Sequence, residues 1–573
     1  MMFSSFILKR ILRDGKERNP RLLRILFQLI FFPIRLLYYA YLSLRKFFLR
    51  KKSILHWEFP SYFETANKSF FIRKLHGKSG SISRLEFLLS LRSLRKVHSL
   101  KCIKISLPPL DWSLGDLWEV IQELKILRKD YGIEIEGFAK EGGLGTLLLL
   151  SVCSRVYVNK DAEFQVQLPS AEPTFFGGFL KHWGVEVEAY ASGPFKSFAE
   201  SFTRTSFTKE ARNNIESLIS SLQDLILHEL TSDGKIKKDV FFKPVLTSAK
   251  LLEVGFAKAE IREENFFNKE ENFLEIEDAI LLDKFSDFKL FSKKRSVISI
   301  VPLSGGISAG DYANKEREIG KIEAYSTISL LKELGEDKSI KAVILEINSP
   351  GGSAFHSELL YQEIKNLREK KPVLGFFKDT AASGGYYIGS ACESITAIPI
   401  CITGSIGAVM IRANLRKLYG KAKIAKENIG FYPYREILSE YTPLKKESTT
   451  YLMEEIKRVE AQFYARVKEG RSMTDSDLKV LGSGRVYLPN IESKVVDKIG
   501  GLLDTLDILK SRFPKERFLF SYELPEYNFR SEIPLLGKFT KLVNPPAIKQ
   551  VLDFIEAKWS GKIIYLLPFQ ITK

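Results

Sequence analysis

The fold class this sequence predicts is α/β, built as two tandem, diverged copies of one domain. Three observations carry that prediction. Short apolar runs suited to buried strands alternate with amphipathic runs suited to helices. Segments match in register at a spacing near 239 residues. And 573 residues are too many for a single hydrophobic core.

Residues 297–303, 342–347 and 373–377 read as short buried strands, and residues 357–370 and 449–468 as amphipathic helices. This alternation argues for right-handed crossovers between parallel strands. In the repeat, KCIKISL at 101–107 answers KAVILEI at 341–347, and GFAKE at 137–141 answers GFFKD at 375–379. Cys153 falls opposite Cys392, PFK at 194–196 opposite PYR at 433–435, and VLTSAK at 245–250 opposite VLGSGR at 480–485. The expected organisation is a basic and apolar N-terminal segment over 1–52, repeats over 53–290 and 291–523, and a tail over 524–573.

Composition is that of a globular protein, 45% hydrophobic and 27% charged. The net charge of +18 is uneven, because residues 1–52 hold 13 Lys and Arg against only Asp14 and Glu17. A nucleic-acid footprint is a basic stripe on a folded domain. Here a basic terminus surrounds an apolar run, which points to a membrane and away from nucleic acid. Residues 25–44 are long enough to span a bilayer core. Gln28, Pro33 and Arg35 interrupt the run, and Arg35 near its middle costs about 3 kcal/mol on insertion scales. No small-residue cleavage site follows, so an uncleaved anchor and an in-plane helix both remain open. Basic flanks on both sides leave the orientation open. The tail, with its Pro545-Pro546 break and apolar end at 563–569, is a second candidate membrane contact.

Cys102, Cys153, Cys392 and Cys401 form no CxxC pair and read as small buried hydrophobes. The six histidines show no metal-binding spacing, so neither metal nor cofactor is expected.

The chemistry concentrates in the second repeat. The run NSPGGS at 348–353 is followed about thirty residues later by Ser383-Gly384-Gly385, and each opens from a strand-like run into a helical one. That pattern offers a hydroxyl at a helix start, with glycine N–H groups near enough to hold a developing oxyanion. Each piece alone is an ordinary turn; together they point to acyl transfer. A serine needs a base. His356 follows the glycine loop and is one candidate. The repeat supplies a stronger one. The first copy has lost the nucleophile, with about Leu144 opposite Ser383, and the glycine cradle, with PLDW at 109–112 opposite SPGG at 349–352. Yet it keeps Lys196 where the second copy has Arg435. Arginine stays protonated, whereas a desolvated lysine serves as a base. The intact pieces are complementary, which predicts one composite site. Phe195, Phe198 and Phe202 suit an apolar pocket for Lys196, while Glu200 would oppose its deprotonation if it faced the amine. Ser405, in TGSIG at 403–407, is the candidate to hold the amine toward Ser383.

These blocks (NSPGGS, AASGGYY and TGSIGA) resemble the signal peptide peptidase A, or protease IV, family in its long, tandem-domain form. That family shares a fold superfamily with the Clp protease proteolytic subunit and crotonase. The resemblance covers most of residues 55–525. It implies Ser383 as nucleophile, Lys196 as general base, and Gly352 and Gly384 as oxyanion donors. It implies substrate bound as an extended strand, with residues 301–307 and the segment after Gly352 as candidates. It also implies a membrane-associated serine endopeptidase that cleaves apolar peptides such as residual signal peptides. The implied assembly is a homo-oligomer, a tetramer in the long form, and the implied location is the outer face of the cytoplasmic membrane. Two rival readings are a non-catalytic membrane scaffold that binds peptides by strand addition, and an acyl-CoA enzyme of the crotonase kind.

Overall fold

A computed structural model describes residues 32–49, 52–63, 82–232, 236–267, 273–276, 296–310, 320–516, 518–523 and 564–565. Two parallel sheets organise it. In the first, the spatial order is Phe273–Leu274, Ile54–Glu58, Cys102–Leu107, Glu134–Ala139, Arg155–Val158 and Ala259–Glu260. In the second, of eight strands, it is Phe518–Tyr522, Ser296–Ser304, Ile340–Ser349 and Val373–Ala382, which pairs both with Ser394–Ala397, followed by Lys498–Ile499, and with Ile402–Gly404, followed by antiparallel Val486–Tyr487. The expected strands and helices all form, each a few residues longer than the apolar pattern alone indicated. The helices are Ala354–Lys370 and Lys446–Arg471.

The two sheets correspond strand by strand, and in register. Ile105 pairs with Gly137 in the first, and Leu345 with Gly375 in the second. A Cβ on Gly137 would lie 2.7 Å from the Cys153 sulfur, and one on Gly375 would lie 3.2 Å from that of Cys392. All four cysteines are unpaired, and burial pushes the Cys392 thiol up to about 12. They are packing residues. One sequence match is misplaced. Val245–Thr247 pairs antiparallel with Glu163–Gln165, and its counterpart is Val486–Tyr487, which pairs antiparallel with Ile402–Gly404. VLTSAK therefore aligns with residues 486–491, because residues 480–481 of the proposed partner segment 480–485 belong to the helix Asp475–Leu481.

The loop opposite the glycine cradle has been filled. Trp112 packs with Phe59, Phe63 and Phe87, and its indole N–H donates to the Pro60 carbonyl at 3.0 Å. Aromatic side chains thus pack closely around this loop.

The halves share one hydrophobic core, and two further joints stand out. Glu186–Ala191 from the first pairs antiparallel with Val409–Asn414 of the second along six residues. A buried charge cluster forms the other joint. The Arg84 guanidinium bonds Glu119 and Glu346, and its Nε lies 3.5 Å from Asp116. Asp116 also pairs with Lys378 at 2.8 Å, and Glu119 accepts the Leu502 N–H at 2.6 Å. Burial pushes the Glu119 carboxyl up to about 7 against the pull of Arg84. Removing a single buried charge leaves its partners uncompensated. Arg84→Met is therefore expected to cost about 3–5 kcal/mol in chemical denaturation. A loss below about 1 kcal/mol would show that the cluster does not hold the halves together.

Residues 1–31 lie outside the described residues, so the run 25–44 is described only from Phe32 onward, in the helix Phe32–Leu49. Leu37, Tyr41, Leu44 and Phe47 of this helix are exposed. Among the described residues no helix is long and apolar enough to cross a membrane. The spanning reading of 25–44 thus gains no support here. In the tail, Pro545-Pro546 and all of the apolar end except Ile564–Tyr565 lie outside the described residues.

Candidate active site

Ser383 stands at a sharp strand-to-helix turn between Val373–Ala382 and Gly384–Gly389. Its backbone is at φ 54° and ψ −117°, a region L-residues rarely occupy. Neighbouring bonds hold it there. Its N–H donates to the Gly404 carbonyl at 2.8 Å, and its own carbonyl accepts from Tyr387 at 2.8 Å. Upstream, the pairing register shifts between Ile347 and Ser349, and the Asn348 side chain takes up the freed Thr380 N–H at 3.1 Å. The turn is thereby over-determined, and the serine is wholly buried.

The glycine loop packs directly against this turn. A Cβ on Gly384 would meet Ser357 Oγ at 2.7 Å and the Gly352 nitrogen at 3.2 Å, so the two backbones touch with no room for a side chain. Gly352 is held as tightly, since a Cβ there would fall 2.2 Å from the Ile307 carbonyl oxygen. Ser349 Oγ fixes the loop by donating to the Gly305 carbonyl at 2.7 Å and accepting the Gly351 N–H at 3.1 Å.

Lys196 arrives from the other half of the chain. The strand Glu186–Ala191 is zipped onto Val409–Asn414, and Ser192 extends the match by donating its N–H to Ala408 and accepting the Ala408 N–H on Oγ, each at 2.9 Å. The chain then turns in. The Phe195 N–H donates to Ser483, and Gly484 packs against the Lys196 backbone. The Lys196 Nζ ends 2.6 Å from Ser383 Oγ, 2.8 Å from the Ser405 carbonyl oxygen and 3.0 Å from Ser405 Oγ. Lys196 is 2% exposed. Burial pushes its ammonium well below the usual lysine range, opposed by the carboxylate of Glu460.

The predicted site residues Ser383, Lys196, Gly352, Gly384 and Ser405 thus converge. His356, the rival base, does not join the dyad: its Nδ1 lies 2.8 Å from Ser353 Oγ, the side chain that caps its own helix. Glu200 turns away from the amine and accepts the N–H and hydroxyl of Thr208 at 2.7 and 2.8 Å. Phe198 and Phe202 pack with Val409 and Ile411 beneath the bridging strands. Of the candidate substrate strands, residues 301–304 belong to Ser296–Ser304 in the second sheet, and Ile307 is flanked by Ile322 and Gly352. The segment after Gly352 lies at the site, with Ile307 paired on one side of Gly352 and Ile564–Tyr565 on the other side of Gly352–Ser353.

Sequence reasoning missed Glu460. It lies on Lys446–Arg471, where Tyr464 bonds it at 3.4 Å and in turn accepts the Ser483 N–H at 3.0 Å. Its only sequence signal is Glu and Tyr four residues apart on a helix, which is commonplace. Its negative charge stabilises protonated Lys196. Glu460→Gln is therefore expected to move the acid limb of any Lys196-dependent rate to lower pH, read from kcat/KM across pH. A shift to higher pH would contradict this placement.

A buried serine, a desolvated lysine in contact with it and two closely packed glycine N–H groups form an arrangement suited to acyl transfer. Comparison with known proteins agrees. The model of peptidase family S49 matches residues 365–512. A putative protease of Synechocystis, slr0021, is 31% identical over 37% of this chain and 72% of its own length. The chain belongs to peptidase family S49. The chloroplastic serine protease SPPA of Arabidopsis thaliana is 29% identical over 72% of this chain, and Protease 4 of Haemophilus influenzae 27% identical over 66%. The matches span 63% and 65% of those two relatives, a little under two thirds of each. The S49 model match lies wholly in the second half, which carries Ser383; Lys196 lies outside it.

Proposed function

We propose that this S49 chain is a serine endopeptidase with a Ser383–Lys196 dyad. The observation that carries the reading is the 2.6 Å contact between Lys196 Nζ and Ser383 Oγ within one chain. Neutral Lys196 takes the Ser383 proton as Oγ attacks a peptide carbonyl carbon. The Gly352 and Gly384 N–H groups hold the oxyanion. The C–N bond breaks as Lys196 returns the proton to the leaving amine. Lys196 then deprotonates a water that attacks the ester, and Ser383 leaves with the proton. Ser405 orients the amine throughout.

The substrates we infer are apolar peptides, with residual signal peptides as the family resemblance implies, bound as an added strand. The matched strand orders and registers of the two sheets support reading residues 53–290 and 291–523 as tandem Clp/crotonase-like copies of one domain. The basic first 52 residues and the exposed apolar side chains of Phe32–Leu49 support attachment to a membrane through this helix. A homo-oligomer on the outer face of the cytoplasmic membrane completes the proposal. A fluorophosphonate probe is expected to acylate Ser383 stoichiometrically, located by peptide mass spectrometry. Absence of labelling in folded protein would favour the scaffold reading.

A further inference from the structure

Of residues 524–573, the described ones are Ile564 and Tyr565, and they form a strand in a decisive place. On one side it pairs antiparallel with Gly352–Ser353, placing Gly352 opposite Tyr565 and Ser353 opposite Ile564. On the other side Ile564 pairs antiparallel with Val409. The sheet runs Lys321–Glu323, Gly306–Ser308, Gly352–Ser353, Ile564–Tyr565, Val409–Asn414, Glu186–Ala191. Without the tail, this sheet is two pieces whose edges face each other. One edge carries an oxyanion glycine, and the other is the strand that positions Lys196. An extended peptide bringing its carbonyl to Ser383 uses this same slot.

The local sequence suits the slot. Residues 563–567, IIYLL, are β-branched, aromatic and aliphatic, with Gly561 before and Pro568 after. Strand addition draws its affinity from main-chain hydrogen bonds and is tolerant of sequence. The tail therefore competes with any apolar peptide for the same backbone partners, and as part of the same chain it is held near them at high effective concentration.

We propose that the C-terminal segment around Ile564–Tyr565 is a resident ligand of the peptide groove, which an external peptide displaces before it is hydrolysed. The hydrolytic half of this statement rests on the peptidase reading above; the occupancy does not. A site filled by its own tail about nine-tenths of the time binds external peptide about tenfold more weakly.

The test uses the full chain with Ile564→Pro and Tyr565→Pro together, because proline has no N–H and does not sit in a central strand. For an extended apolar peptide, KM is expected to fall about three- to tenfold with kcat unchanged. In a Ser383→Ala background, a fluorescent peptide with the sequence of residues 560–569 should bind several-fold tighter to the proline variant, read by anisotropy. Equal KM and equal peptide affinity overturn the proposal. A second variant works in the opposite direction and does not depend on the first one folding. Ser353→Cys with Ile564→Cys, opposite each other in the sheet, should cross-link on oxidation and lose peptide hydrolysis reversibly. Failure to cross-link, or hydrolysis undiminished by the cross-link, also overturns it. If no form of the chain hydrolyses peptide, the peptidase reading fails, and the anisotropy arm still decides the occupancy.

Discussion

Ser383→Ala lowers kcat/KM for an apolar peptide by roughly 10⁴-fold or more, with circular dichroism and melting temperature nearly unchanged. The change removes one oxygen from a wholly buried position whose backbone is held by the Gly404 and Tyr387 hydrogen bonds and not by the hydroxyl. Alanine bears the same backbone strain as serine at φ 54°, so no new conformational cost arises. Residual turnover would reflect peptide binding and the glycine N–H groups alone. Hydrolysis within about tenfold of the parent would remove Ser383 from the mechanism.

Lys196→Arg lowers kcat/KM by about 10³-fold or more, although charge type is conserved. A guanidinium stays protonated and cannot take the Ser383 proton. It also forces a fixed charge into a pocket that already disfavours one. Lys196→Met removes the base without adding charge, and the pair of variants separates the two effects. The unfolded chain binds a proton on Lys196 at neutral pH that the folded chain holds weakly, so neutralising this lysine opposes folding there. That cost fades as pH rises toward the ordinary lysine value of about 10.5. Lys196→Met should therefore melt higher than the parent at pH 7, with the gap closing toward alkaline pH. Parental kcat/KM should rise with pH as Lys196 loses its proton. A flat profile, or an arginine variant close to parental activity, would point to a different base.

Much of this was legible beforehand because of chemistry that repeats. The strands are apolar in both halves, and Cys153 and Cys392 fill similar positions against Gly137 and Gly375. The meeting of Lys196 with Ser383 was legible for a different reason. Read as two copies, the halves are complementary, and only lysine, not arginine, serves as a base. The misaligned pair at 480–485 failed because a two-residue strand carries too little pattern to fix its register. Glu460 was invisible because a carboxylate matters to Lys196 through distance, and the 263 residues between them encode no distance.

By itself, the sequence determined the α/β class and singled out Ser383, Lys196 and the glycines at 351–352 and 384–385 as candidates, since these follow from residue type and local spacing. Tertiary structure alone decided which lysine neighbour bears the opposing charge, that His356 caps a helix, and that one strand exchanged between halves delivers Lys196 to Ser383. It also placed Ile564–Tyr565 between Gly352 and Val409. The physical reason is the same in each case. Burial, charge proximity and edge pairing depend on where distant segments meet, and chain folding sets those distances.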